Sequence, residues 1–365
     1  MNTQMSNAQT QKPKVALVMA AGTGGHIFPG LAVAQELRER GWQVHWLGVP
    51  GGMEEMLVKP KNFAFEPLAF GGLRGKGLLT KLFLPCRLLK AFWAAFRIIG
   101  RVKPDVVIGF GGYITFPGGM MGVLRGKPLV LHEQNSIAGL ANKVLAKVAD
   151  RVLTAFPGVF ACAEYVGNPL RQEFMMQEAP EQRYEGRQGV LRLLVVGGSL
   201  GASALNALVP KALALIPEAQ RPQTIHQSGS KQIDALRENY ANVKVDAELT
   251  PFIEDTAKAF AQADVVIARA GASTVTELAA VGAPALFVPF PQAVDDHQTK
   301  NAQFLVDAGA AWLVAQRDLD AQKLADWLKG LTRKELLDKA VKAYGQKKLN
   351  ATQRMADVCE ELAKL

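Results

Sequence analysis

Cysteine is nearly missing from this chain of 365 residues: Cys86, Cys162 and Cys359 stand far apart with no paired spacing. That excludes a disulfide frame or a cysteine zinc cluster and fits a reducing compartment. The three read as small buried apolar residues. The five histidines are scattered, and the one Asp-x-Asp, Asp318-Leu319-Asp320, stands just before a helical pattern, where capping accounts for it. No tightly bound metal or cofactor is expected. Lys, Arg, Gly or Pro breaks every apolar run before the roughly 18 residues of a spanning helix. Met1 to Lys12 are polar and lack the charged start and apolar stretch of a signal peptide. Residues 1–13 therefore read as a disordered tail on a chain expected to stay in the cytosol without crossing a membrane.

Acidic residues are missing from one long stretch. Between Pro67 and Pro104 stand Arg74, Lys76, Lys81, Arg87, Lys90, Arg97, Arg101 and Lys103 with no Asp or Glu, so one region carries almost the whole formal charge of +9. Such a patch attracts an anionic surface, either nucleic acid or membrane head groups. Within it Leu89, Phe92, Trp93 and Phe96 form a helical stripe suited to packing on a sheet, with Arg87, Lys90, Arg97 and Arg101 opposite.

With 49% hydrophobic residues the chain can bury two cores, and its length favours two domains. Lys14 to Ala21 is an apolar run of strand length that ends in Gly22-Thr23-Gly24-Gly25-His26 and enters a helical pattern from about Phe28 to Arg40. The sequence repeats the arrangement from Leu191 to Val196, through Gly197-Gly198-Ser199-Leu200-Gly201, into an alanine-rich helix ending near Ile216. Further apolar strands follow at Gln43 to Val49, Val106 to Gly109, Leu129 to His132 and Arg151 to Thr154. In the second half they fall at Thr224 to Gln227, Val265 to Ala268, Ala285 to Val288 and Ala311 to Val314. Apolar strands separated by helices belong to parallel sheets covered on both faces. The expected fold is α/β, two Rossmann-like doubly wound parallel sheets facing a cleft. The halves are 14–167 and 168–345, divided near Gly167-Asn168-Pro169, with a C-terminal helix over 346–365.

Ligands of doubly wound sheets bind beyond the carboxyl ends of the strands, so both glycine loops should point into the cleft. Neither has the third glycine of a dinucleotide fingerprint, since Ile27 stands there in the first, and neither continues into Gly-Lys-Ser/Thr. What remains is a loop whose free amides can cradle a diphosphate. A third such loop, Arg269-Ala270-Gly271-Ala272-Ser273-Thr274-Val275-Thr276-Glu277, follows strand Val265 to Ala268. There a helix start with hydroxyls, a cation and a carboxylate within reach of both ribose hydroxyls would make a nucleotide-diphosphate seat. The competing reading is a capping box, with Thr274 as cap and Glu277 reaching back to its amide. Two polar loops at strand ends, His132-Glu133-Gln134-Asn135 and Pro289 to Gln298, carry groups of the kind that read sugar hydroxyls.

Taken together, residues 14 to 330 resemble the MurG family of bacterial glycosyltransferases, through the glycine loops, His132 to Asn135, Gly167 to Arg171 and Arg269 to Glu277 in order. The resemblance implies a GT-B architecture and inverting transfer of N-acetylglucosamine from UDP-N-acetylglucosamine. The acceptor it implies is the muramyl C4 hydroxyl of undecaprenyl-pyrophosphoryl-MurNAc-pentapeptide (lipid I), giving the beta-1,4-linked lipid II of peptidoglycan synthesis. Carried over by motif, the donor contacts are Thr23, Gly24, Gly25, Asn135, Arg171, Ser199, Ile253, Ala272, Ser273, Thr274, Val275, Thr276, Glu277 and Gln298, with uracil read by backbone near Ile253. Leu200 stands where some members carry Gln. The loop from Pro291 to Gln298 is one residue longer than in some relatives, so Gln298 rather than His297 follows from counting back from Asn301.

His26, at the end of the first loop, is the candidate catalytic residue, as general base or as a group orienting the diphosphate. Lys76, Leu78, Leu79, Lys81, Leu82, Phe83 and Leu84 are expected to rest on anionic phospholipids of the inner leaflet. The protein would then be peripheral on the cytoplasmic face of the cell membrane, with no nucleic-acid partner. Two other readings stand beside this one: an enzyme like the UDP-N-acetylglucosamine 2-epimerases, and a non-catalytic basic module binding nucleotide or nucleic acid.

Overall fold

A computed structural model describes residues 12–71, 84–198 and 201–364. The membrane-patch residues Lys76, Leu78, Leu79, Lys81, Leu82 and Phe83, and the loop residue Ser199, lie outside the described residues. Leu84 is the first residue of a described helix.

The first half is a seven-stranded parallel sheet in the order β3-β2-β1-β4-β5-β6-β7. Its strands are β1 Val15–Ala20, β2 Gln43–Gly48, β3 Ala64–Pro67, β4 Val106–Gly111, β5 Leu129–Glu133, β6 Arg151–Thr154 and β7 Glu164–Tyr165. The second half is a six-stranded parallel sheet, β10-β9-β8-β11-β12-β13. It comprises β8 Arg192–Val196, β9 Gln223–Gln227, β10 Glu248–Thr250, β11 Val265–Ala268, β12 Ala285–Phe287 and β13 Ala311–Leu313. In each sheet the chain reverses direction across the order beside its first strand, β1 or β8, where loops following neighbouring strands open a crevice. The central strands VALVMA and VVIA are buried along their whole length, as strands covered on both faces must be.

The helices that shape the site, numbered here in chain order, are α1 Gly24–Glu39, α2 Met53–Val58, α3 Leu84–Val102, α4 Thr115–Leu124, α5 Leu140–Leu145, α6 Ala272–Val281, α7 His297–Asp307, α8 Arg333–Gly345 and α9 Ala351–Leu362. α1 starts at Gly24, four residues before the helical pattern becomes visible in the sequence. The C-terminal segment is two helices, and the second crosses back to the first half. Met355, Val358, Cys359 and Leu362 of α9 are buried with Val33, Leu37 and Trp42, while Arg40 pairs with Asp357 at 2.6 Å and Arg354 with Glu164 at 2.7 Å.

Two expectations need correction. Only Cys359 is buried; Cys86 and Cys162 are exposed, the first on the opening turn of α3 and the second in a surface loop. The proposed inward stripe of α3 also fails at two positions, because Leu89 and Trp93 are 67% and 63% exposed. The sheet side of α3 is filled by Ala91, Ala95, Ile98 and Ile99, small and branched residues that let the helix lie close. Phe92 packs edge-on against Phe116 and Phe96 lies beneath Arg125, which leaves Leu89 and Trp93 outside with Arg97 stacked on Trp93.

The crossover between the halves passes Gly167, whose φ of +91° suits glycine and where a Cβ would lie 2.3 Å from Cβ of Lys348 on the returning strand of chain. His132, fully buried and lowered by that burial to about 4, donates from Nε2 to the Gly167 carbonyl at 2.9 Å. It accepts at Nδ1 from Gln134, so one neutral tautomer ties β5 to the crossover.

Candidate active site

β1 delivers the chain to the first glycine loop at the middle of its sheet. Thr23 is the extended N-cap of α1, and its carbonyl accepts from His26 N and Ile27 N at 3.1 Å each. The amides of Gly24 and Gly25 find no acceptor among the described residues. Free first-turn amides at the positive end of a helix favour an anion.

His26 packs its ring against Gly111, where a Cβ would meet Cδ2 and Nε2 at 3.0 Å. Its Nδ1 lies 3.2 Å from the Ala21 carbonyl and 3.4 Å from Thr23 Oγ1. A carbonyl only accepts, so the proton sits on Nδ1 and Nε2 keeps its lone pair. Burial lowers the imidazole below its ordinary value, Glu133 and the Ala21 carbonyl act the other way, and His297 adds to the lowering. A neutral imidazole with a free Nε2 is the form a general base needs.

Across the cleft, Gly271 is the N-cap of α6, in extended conformation. The capping box is therefore not formed: Thr274 lies in the first turn and Glu277 a further turn in. The amides of Ala272, Ser273 and Thr274 have no acceptor among the described residues, and the buried Oγ of Ser273 has no partner. A Cβ on Gly25 would lie 3.9 Å from Ser273 Oγ, so the first glycine loop and the start of α6 face each other directly. Helical spacing puts Ser273, Thr274 and Glu277 on one side. Val275 and Thr276 are buried on the other: Val275 N donates to Gly271, and the Thr276 hydroxyl is engaged with the Ala272 carbonyl and with Asn168 Nδ2.

Glu277 has no hydrogen-bond donor among the described residues, and burial pushes it up to about 7 against the pull of Arg171. The cation at this seat is Arg171, stacked over Phe174 at 5.0 Å and Phe28 at 5.7 Å. Arg269, which the sequence suggests for that part, spends its guanidinium on the carbonyls of Val288 and Pro289 and on Gln316. Ile253 is half-buried and offers its carbonyl to Thr256 Oγ1. Close by, a cavity of about 280 Å³ is lined by Arg171, Glu173 and residues 254–257.

Asn135 donates from N and Nδ2 to Glu133, at 2.9 and 3.3 Å, and accepts from Asn301 Nδ2 at 3.3 Å. Glu133 is the hub of this loop, accepting also from Gly139 N and Asn142 Nδ2. Asn301, fully buried on α7, further accepts from Ser136 N and Oγ and donates to the Ala270 carbonyl. It thereby ties the polar loop of the first half to the loop before α6, a role that residue spacing does not disclose. Gln298 accepts from Phe290 N at 2.9 Å and so braces its own loop; His297, beside it, is the one near enough to lower His26.

Two family descriptions match the chain: the glycosyltransferase family 28 N-terminal domain over residues 16–154 and the glycosyltransferase family 28 C-terminal domain over 192–361. Among curated proteins, the UDP-N-acetylglucosamine--N-acetylmuramyl-(pentapeptide) pyrophosphoryl-undecaprenol N-acetylglucosamine transferase of Paracidovorax citrulli is 66% identical, covering 96% of this chain and 99% of its own. The transferase of the same name from a Polaromonas species is 67% identical over 96% of this chain and 92% of its own. The crystal structure of Acinetobacter baumannii MurG matches with a TM-score of 0.84 at 43% identity, over 96% of this chain and 100% of that one.

The chain belongs to the MurG family.

It is accordingly a glycosyltransferase of two family 28 domains in GT-B arrangement. The same architecture recurs in a kitacinnamycin glycosyltransferase, TM-score 0.71 at 16% identity, a likeness of fold alone.

Proposed function

We propose that this chain transfers N-acetylglucosamine from UDP-N-acetylglucosamine to the muramyl C4 hydroxyl of lipid I, with inversion, to give lipid II. The observation that carries the reading is the opposition of two helix starts with amides unpartnered among the described residues, so close that a Cβ on Gly25 would lie 3.9 Å from Ser273 Oγ, with a neutral histidine on one side and a half-buried carboxyl on the other. Family membership narrows that geometry to this donor and acceptor.

In this reading the amides of Ala272 to Thr274, with Ser273 Oγ, hold the diphosphate, and the positive end of α6 stabilises the charge that builds on UDP as the sugar leaves. Glu277 accepts the ribose hydroxyls, Arg171 neutralises it, and the uracil enters the cavity beside Ile253. Thr23, Gly24 and Gly25 lie against the far side of the diphosphate, Asn135 and Gln298 meet the sugar, and Ser199, outside the described residues, is a further donor contact in this reading. His26 Nε2 takes the proton of the attacking hydroxyl.

The acceptor is lipid-borne, and the outer face of the first half suits a membrane surface. Leu89 and Trp93 of α3, Leu124 at the end of α4, and Leu140 and Val144 of α5 are exposed, interleaved with Arg87, Lys90, Arg97, Arg125 and Lys143. No described helix is long and apolar enough to cross a membrane. This surface, and the basic stretch of sequence that includes Lys76 and Lys81, support a reading of peripheral attachment to anionic phospholipid on the cytoplasmic face of the inner membrane. The decisive assay combines labelled UDP-N-acetylglucosamine with a lipid I analogue and follows sugar transfer together with UDP release. UDP release without transfer would refute the reading.

A further inference from the structure

One peptide unit in the first glycine loop is held at both ends. The carbonyl of Ala21 accepts from His26 Nδ1 at 3.2 Å. The N–H of the same unit, belonging to Gly22, donates to Glu54 Oε2 at 3.3 Å. Glu54 is 1% exposed, and its other oxygen accepts from Val49 N at 2.8 Å. No cation pairs with it among the described residues; its two donors are main-chain amides at the carboxyl ends of the neighbouring strands β1 and β2.

The surroundings are shaped around this line of groups. A Cβ on Gly52 would lie 2.8 Å from the Glu54 carboxylate, and one on Gly48 would lie 2.9 Å from Glu54 Cγ. On the opposite side a Cβ on Gly112 would lie 2.5 Å from the Ala21 carbonyl oxygen, at a φ of +89°. Gly52 leaves room for one buried carboxylate and Gly112 for one peptide plane. A carboxylate needed only to finish α2 would face solvent, as Glu55 of the same helix does when it caps the Gly51 amide.

We propose that Glu54 is a positioning residue for His26, acting through the Ala21–Gly22 peptide. An amide bonded to an anion polarises its own peptide unit, which makes the carbonyl a stronger acceptor. That carbonyl fixes the Nδ1–H tautomer and steadies the imidazolium formed when Nε2 takes the hydroxyl proton. The hydroxyl oxygen then bonds to the anomeric carbon, the bond from that carbon to the diphosphate breaks, and UDP leaves with the electron pair. The proton stays on Nε2 during the step, and none travels through the peptide. The arrangement follows the logic of nucleophile, base and orienting carboxylate, with a peptide plane set between base and carboxylate. The other titratable groups facing His26 are Glu133 from the end of β5 and His297 from α7, and both remain when Glu54 is changed.

This inference rests on reading His26 as the base, and the test separates the two. In the full-length protein, the titration of the His26 ring is followed by NMR in wild type and Glu54→Gln, beside turnover, UDP affinity and a melting curve. Glu54→Gln should lower the His26 midpoint by about half a unit or more, move the acid limb of kcat the same way, and reduce kcat about three- to tenfold. UDP affinity, set mainly by the second half, should change less than about twofold. In a His26→Gln background the Glu54→Gln change should have no further effect on residual turnover. Should Glu54→Gln not fold, Glu54→Asp withdraws the charge from Gly22 by one methylene and should also lower the midpoint. An unchanged His26 midpoint in a folded variant overturns the proposal. A lowered midpoint with a fully active His26→Gln protein keeps the relay and removes His26 as the base.

Discussion

Glu277 has no hydrogen-bond donor among the described residues, and burial raises it to about 7, well above the ~4.3 of an unfolded chain. A carboxyl group raised in the folded state favours folding while it is protonated. That contribution is fully present below about pH 4.3 and is lost as the pH rises through 7. Glu277→Gln should therefore melt higher than wild type at pH 8, by about 1–3 kcal/mol at most, and the two should converge near pH 4.5. A lower melting point for the variant at pH 8 would contradict this account of the pocket. Glu277→Ala should weaken UDP by roughly 1–3 kcal/mol, the loss of two charge-assisted hydrogen bonds, as read by calorimetry. Equal UDP affinities would take Glu277 out of the ribose site. His26→Ala should lower turnover at least about tenfold with little change in melting temperature; normal turnover would exclude it from the reaction. The residues of this site that local spacing could reach were Ser273, Thr274 and Glu277, on one helix face behind one glycine. Asn301 with Ser136, 165 residues apart, and Glu54 with Gly22 meet only through the fold, and no sequence pattern records such pairs.

Among the elements, the long apolar strands were legible because strands buried on both faces have few alternatives. β3, β7 and β10 were not, being edge or near-edge strands of two to four mixed residues such as Ala64–Pro67 and Glu248–Thr250. The start of α1 was hidden by its own glycines, Gly24 and Gly25, which make a helix start that propensity argues against. α3 was misread for a related reason. A helix that presents large apolar residues outward looks in sequence like one that buries them, and the small residues at Ala91 and Ala95 were the signal to weigh. Leu89→Glu with Trp93→Glu should release the protein from anionic vesicles in a flotation assay without lowering its melting temperature, since both side chains are largely exposed. Undiminished vesicle binding would move the membrane surface elsewhere.

Across the whole molecule, the halves are joined where residue 167 passes residue 348. Any Cβ at Gly167 would collide with Lys348 at a left-handed φ. Gly167→Ala should cost about 1–3 kcal/mol, seen as a lower melting temperature, and an unchanged melt would mean that the crossover yields freely. The division into two sheets could be read from the repeated strand, glycine loop and helix. That α9 belongs to the first half could not, because its apolar face is complementary to α1, more than 300 residues earlier, as the Arg40–Asp357 pair shows.

The place of α9 has a consequence for how the protein is made. During synthesis the first half emerges early, yet the surface around Val33, Leu37 and Trp42 stays uncovered until residues 351–362 leave the ribosome. The nascent chain must carry an incomplete first domain through the making of the second sheet, and a segment translated after that sheet closes the domain that was begun first. A fragment ending before residue 346 should therefore bind an apolar-surface dye, and a synthetic peptide of residues 346–364 added in trans should quench that signal.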